Sequence, residues 1–168
     1  MSFPHPVVVM GVSGSGKSTI GAALAEALGL PFVEGDDLHP EANRAKMAAG
    51  IPLTDADRAP WLDRIADVLA DDPCVIACSA LKRVYRDRLR QAAPDLELVY
   101  LHGSRELLAS RIAARHHAYM PASLLDSQLA TLEVPRADEH PIEVDVALPP
   151  AETVAQIVAQ LTSTPDRP

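Results

Sequence analysis

A chain of 168 residues, 48% apolar and 23% charged, with a net charge of −8, suits one compact globular domain spanning residues 1–168. Its acidity argues against non-specific nucleic-acid binding, and no apolar run reaches the ~20 residues that cross a bilayer. Cys74 and Cys78 share one apolar segment and read as core thiols, which together with the lack of a secretory leader pattern predicts a reducing cytoplasm.

Val7 to Met10 is an apolar run that stops at glycine, as a buried parallel strand would. Ile20, Leu24 and Leu28 recur at helical spacing up to Gly29, a good C-terminal stop. Pro31-Phe32-Val33 predicts a second strand, Cys74 to Ala77 a third, Leu96 to Leu101 a fourth and Ile142 to Val146 a weaker, alternating fifth. Between them stand the helical patterns Leu62/Ile65/Leu69, Leu81/Tyr85/Leu89, Leu108/Ile112 and Val154/Ile157/Val158/Leu161. This alternation predicts an α/β fold, a parallel sheet with helices on both faces joined by right-handed crossovers. Two polar insertions interrupt it: residues 37–61 on one side, and residues 115–141, which hold a short helical stretch at Leu125/Leu129/Leu132. Insertions of this length in a small α/β domain are more often functional covers than idle loops.

The strongest motif is Gly11-Val12-Ser13-Gly14-Ser15-Gly16-Lys17-Ser18, with Thr19 following, which matches G-x-x-x-x-G-K-[ST] between a predicted strand and a predicted helix. Glycines let the backbone turn its N–H groups around phosphates, and the helix start adds its positive dipole end. Lys17 then reaches the terminal phosphates of ATP and the Ser18 hydroxyl ligates Mg²⁺. Such a site makes a phosphotransferase the expected activity. A guanine-reading Asn-Lys-x-Asp element is absent from the sequence, which argues against a nucleotide switch.

The second strand leads into Glu34-Gly35-Asp36-Asp37-Leu38-His39. Strand ends of a parallel sheet face the ligand crevice, so these carboxylates can meet Mg²⁺ or take a proton from an attacking hydroxyl. Which of Glu34, Asp36 and Asp37 does which stays open at this level, and an acidic turn capping a helix is the plainer alternative. The chain has only three lysines, Lys17, Lys46 and Lys82, so attraction for an anionic acceptor must be local. Arg58, held between Asp57 and Pro60-Trp61, and Lys82, after the third strand with Arg86 close by, are the candidate contacts, with His39 a further one. A basic helix capped by Ser79 is the plainer alternative for this segment, and Trp61 reads as a packing anchor. Arg111 and Arg115 lie one helical turn apart and can close over the nucleotide and the transferring phosphoryl group.

The stretches GVSGSGKST, EGDDLHPEANRAKMAAGIPLTDADRAPWL, CSALKRVYRDRLR and SQLATLEVPRADE together resemble the bacterial-type gluconokinases, small kinases related in fold to shikimate and nucleoside-monophosphate kinases. The resemblance implies a five-stranded parallel sheet of order 2-3-1-4-5 with a mobile lid, and transfer of the ATP γ-phosphoryl group to the 6-hydroxyl of D-gluconate. It implies nucleotide contacts along the loop from Gly11 to Thr19, Asp36 facing the acceptor hydroxyl, and Glu34 in the Mg²⁺ shell. Arg58 and Lys82, with His39 and Arg86, would hold the acceptor. Bacterial members tend to pair, so a homodimer is implied as well. At Ala118 the lid departs from the glycine expected before an aromatic.

Overall fold

The computed structural model describes residues 3–114 and 122–163. Five strands form one sheet: β1 (Val7–Met10), β2 (Phe32–Glu34), β3 (Val75–Ala77), β4 (Glu97–His102) and β5 (Ile142–Asp145). Their order is β2-β3-β1-β4-β5 and every pairing is parallel. Seven helices connect them among the described residues: α1 (Lys17–Leu28), α2 (Glu41–Ala48), α3 (Asp55–Ala70), α4 (Arg83–Ala92), α5 (Arg105–Ala114), α6 (Ala122–Thr131) and α7 (Pro150–Ser163). The expected class and strand order hold, with strand limits displaced by about one residue.

β1 is the hub. Val7 and Val9 belong to an apolar cluster with residues of α1 and α7, while Val8 and Met10 belong to a second with Trp61 and Ile65 of α3 and Leu89 of α4. All four β1 residues are buried, the uniform apolarity demanded of a central strand covered on both faces. Cys74 and Cys78 lie in the second cluster as free, buried thiols, and burial pushes Cys78 up to about 12.

The insertion at 37–61 is more regular than its polar, proline-punctuated sequence predicts. It takes in the end of a 3₁₀ turn at Gly35–Leu38, all of α2, and the first turns of α3. α3 starts early because Thr54 and Asp57 form a reciprocal capping box, each side chain bonding the other's backbone N–H. Pro60 lies in its second turn.

Arg86 is buried and does not line the cavity described below. The sequence placed it among acceptor contacts, yet its side chain is 2% exposed and bonds Glu139 in a bidentate pair at 2.7 and 3.1 Å. Its third guanidinium nitrogen, Nη1, donates to the carbonyls of Ala80 and Leu81 at 2.9 and 3.2 Å, and Arg90 also bonds Glu139. The pair therefore pins residues 137–139 to α4 and holds Ala80, a non-glycine residue at φ 43°, in the costly left-handed region. Hydrogen bonds from Arg86 and Arg90 hold the Glu139 carboxyl down at about 2 against the upward push of burial. That stabilisation is present above the unfolded carboxyl's ordinary value and is lost as pH falls toward 2. Arg86→Met leaves the buried Glu139 carboxylate with Arg90 as its remaining cationic partner and should cost about 3 kcal/mol in urea unfolding at pH 7; a cost below ~1 kcal/mol would show that the pair does not hold this junction.

Candidate active site

The carboxyl ends of β1, β2 and β3 open onto one cavity of about 590 Å³. Ser13, Gly14, Gly16, Lys17 and Ser18 form one wall, Glu34, Asp36, Asp37 and His39 a second, and Arg44, Arg58 and Trp61 a third. Gly16, at φ 86°, is the residue before α1, a turn that favours glycine. Lys17 Nζ donates to the Val12 carbonyl at 3.2 Å, which folds the ammonium back over the loop. Gly11 and Val12 are buried beneath. Ser15 Oγ is buried with no hydrogen-bond partner among the described residues, an orphaned polar group at the loop.

A smaller recess of about 170 Å³ lies on the other side of the loop. Ser15, Gly16, Thr19 and Arg111 line it with the apolar Val146, Leu148 and Pro150, and Arg111 is anchored by donation to the Val146 carbonyl. A flat heterocycle with one polar edge suits such a slot. Arg115 lies outside the described residues.

The three carboxylates after β2 are separated by their partners. Ser18 Oγ donates to Glu34, so Glu34 sits on the phosphate-loop side. Asp37 has Arg44 beside it: the guanidinium donates to the Asp37 carbonyl at 2.6 Å and stands 3.9 Å from its carboxylate. No hydrogen-bond donor among the described residues reaches the Asp36 carboxylate, which leaves it available to a ligand.

His39 is held more firmly than its sequence setting suggests. Its ring stacks on Trp61 at 4.3 Å and 10°, and the Trp61 indole N–H donates to the Gly35 carbonyl at 2.8 Å. Trp61 thus serves both as the expected anchor and as a cavity wall. Asn43 Nδ2 lies 3.2 Å from His39 Nδ1 and donates to the Asp57 carbonyl at 2.8 Å. An amide donor at Nδ1 places the imidazole proton on Nε2. Burial drives the His39 pKa down to about 4, with Arg58 and Arg44 adding to the fall and Asp36 opposing it.

Lys82 does not line the cavity. It is ion-paired with Asp55 at 3.0 Å, and the alternative of a Ser79 cap does not hold, since Lys82 precedes α4 with no side-chain cap. Ser79 instead lines the cavity. Arg58 does line it, with its Nη1 donating to the Tyr85 hydroxyl at 2.9 Å. Sequence reasoning missed Gln128 of α6, whose Oε1 accepts from the Ser13 backbone N–H at 2.7 Å, and missed Tyr85 as a site residue. The helical pattern around Leu125 and Leu129 announces α6; nothing local in it says which polar residue reaches the loop.

Because His39 resists protonation when folded, its proton binds preferentially to the unfolded chain. Its contribution to stability is therefore intact above pH 6.5 and is lost as pH falls toward about 4. His39→Gln should flatten the stability-versus-pH curve across that window, measured by urea unfolding. An unchanged slope would contradict a neutral, buried His39.

The AAA domain family matches residues 7–135. A gluconokinase of Gluconobacter oxydans is 53% identical over 146 residues, 84% of this chain and 82% of the relative. The crystal structure of a gluconokinase from Sinorhizobium meliloti is 55% identical with a TM-score of 0.90, covering 96% of this chain and 94% of that one. A shikimate kinase from Aquifex aeolicus, at 16% identity and a TM-score of 0.59, shares the fold alone. With matches of that identity and extent, the chain belongs to the gluconokinases within the AAA domain family.

Proposed function

We propose that the chain transfers the γ-phosphoryl group of ATP to the 6-hydroxyl of D-gluconate, giving 6-phosphogluconate. One observation carries the reading beyond family membership. A single cavity joins a phosphate loop, through Lys17 and Ser18, to an uncommitted carboxylate at Asp36, a neutral imidazole at His39 and a guanidinium at Arg58. A polyhydroxy acid offers hydroxyls and one carboxylate to such a set.

The chemistry follows from placement. The loop amides and Lys17 hold the terminal phosphates and offset charge that accumulates on the transferring oxygens. Asp36 orients the acceptor hydroxyl and takes its proton as the new O–P bond forms and the bond to the β-phosphate oxygen breaks. In a loose transition state that proton leaves late, so positioning supplies most of the rate. His39 Nε2–H donates to an acceptor hydroxyl, and Arg58 takes the carboxylate. The recess at Arg111 receives the adenine.

Among the described residues there is no cluster of three or more His, Cys, Asp or Glu side chains that could hold a metal by itself. Ser18 and Glu34 nevertheless offer adjacent hard oxygens, the donor set that suits Mg²⁺, which keeps waters and uses substrate phosphates for the rest. Bound there, Mg²⁺ would neutralise phosphate charge. No helix among the described residues is long and apolar enough to cross a membrane. The free, buried thiols suit a reducing cytoplasm, and the resemblance supports a homodimer.

An ADP-release assay should respond to gluconate and not to shikimate or AMP; equal responses would overturn the acceptor assignment. Asp36→Asn should lower kcat by about 100-fold with the KM for ATP unchanged, and Lys17→Ala should abolish turnover in a folded protein. A nearly silent Asp36→Asn beside an inactive Asp37→Asn would move the proton acceptor to Asp37.

A further inference from the structure

Arg58 reaches the cavity from α3, and its only hydrogen-bond partner among the described residues is the Tyr85 hydroxyl on α4. That hydroxyl in turn donates to Asp55 in the first turn of α3, so its lone pair, not its proton, meets the guanidinium. The direction is fixed. Tyr85 is pushed up by burial and by bonding to Asp55, while Asp55 is pulled down by the bonds from Tyr85 and Lys82. One stays O–H and the other carboxylate across the working pH range. Lys82 bonds the same Asp55 at 3.0 Å, and the two cations lie 5.4 and 5.7 Å from the Tyr85 ring centroid, within range of the attraction between cations and an aromatic face.

We infer that Tyr85 and Asp55 are positioning residues for the acceptor's carboxylate: the chain Arg58 to Tyr85 to Asp55 holds the guanidinium by one terminal nitrogen and leaves its other edge to the substrate. The inference rests on the proposed gluconate site and adds the element that makes Arg58 selective for an acid. An arginine that is free to rotate gives a point of positive charge. An arginine fixed at one nitrogen presents Nε–H and Nη2–H as a fork matched to a carboxylate, with its rotamer entropy already lost before the ligand arrives. The Asp55 carboxylate also offsets the repulsion between two like charges, Arg58 and Lys82, that share one ring.

Tyr85→Phe tests this, because it removes the hydroxyl, keeps the ring and changes no charge. KM for D-gluconate should rise about tenfold while kcat stays within about twofold and KM for ATP is unchanged. The inhibition constant of D-gluconamide, which has the hydroxyls but no carboxylate, should not change, and a urea midpoint reports the fold. In an Arg58→Ala background, Tyr85→Phe should add no further loss for gluconate. An unchanged KM, or equal weakening toward gluconate and gluconamide, would overturn the positioning role while leaving the gluconate reading intact. A parent protein that does not phosphorylate gluconate would overturn the site reading itself and this inference with it.

Discussion

Gly35 follows β2 directly, and a Cβ built on it would lie 2.2 Å from the carbonyl oxygen of Ala77 at the end of β3. No side chain fits between these backbones. The close approach seats the 3₁₀ turn against the sheet, with the Gly35 carbonyl turned to receive the Trp61 indole N–H and Trp61 placed to stack on His39. The cavity wall facing the phosphate loop is assembled on that one contact. Asp36 follows Gly35, His39 closes the turn, and α3 is held by its tryptophan so that Arg58, one turn earlier in the helix, lines the same space. A residue larger than glycine at position 35 would push the turn off β3 and separate the carboxylate from the phosphate loop.

A second constraint is electrostatic. With a net charge of −8, the protein's overall field repels an anionic acceptor and an anionic nucleotide alike. The cavity answers with two cations held by their neighbours, Arg44 beside Asp37 and Arg58 on the Tyr85 hydroxyl, while Lys46 on Asp57 and Lys82 on Asp55 stand outside its lining. Exposed pairs of this kind contribute little to stability. Their effect is geometric, because a cation that is already oriented loses less entropy when the substrate binds. The buried Arg86–Glu139 pair differs in kind. It holds a backbone junction together and is far from neutral when broken.

The phosphate loop, the alternation of strands and helices and the two core cysteines were legible because each depends on residues adjacent in the chain. α2 and the early start of α3 were hidden by Pro40, Gly50, Pro52 and Pro60, although Thr54-Asp55-Ala56-Asp57 carried the spacing of a capping box. Pro60 is tolerated because it removes a single backbone bond in a helix already fixed by its cap and by Trp61. Lys82 and Arg86 lie outside the cavity lining for another reason. Both lie where a strand end meets the crevice, but their partners, Asp55 and Glu139, are 27 and 53 residues away, and no local pattern announces pairings of that range. The same holds for Gln128 at the Ser13 amide.

The most direct measurement is a crystal structure with D-gluconate and a non-hydrolysable ATP analogue bound together. The gluconate 6-hydroxyl should lie within about 3.2 Å of an Asp36 carboxylate oxygen, in line with the γ-phosphorus, and the gluconate carboxylate should rest on the fork of Arg58. A 6-hydroxyl bonded to Asp37 or Glu34, or a carboxylate bound away from Arg58, would contradict the assignment of the acceptor site.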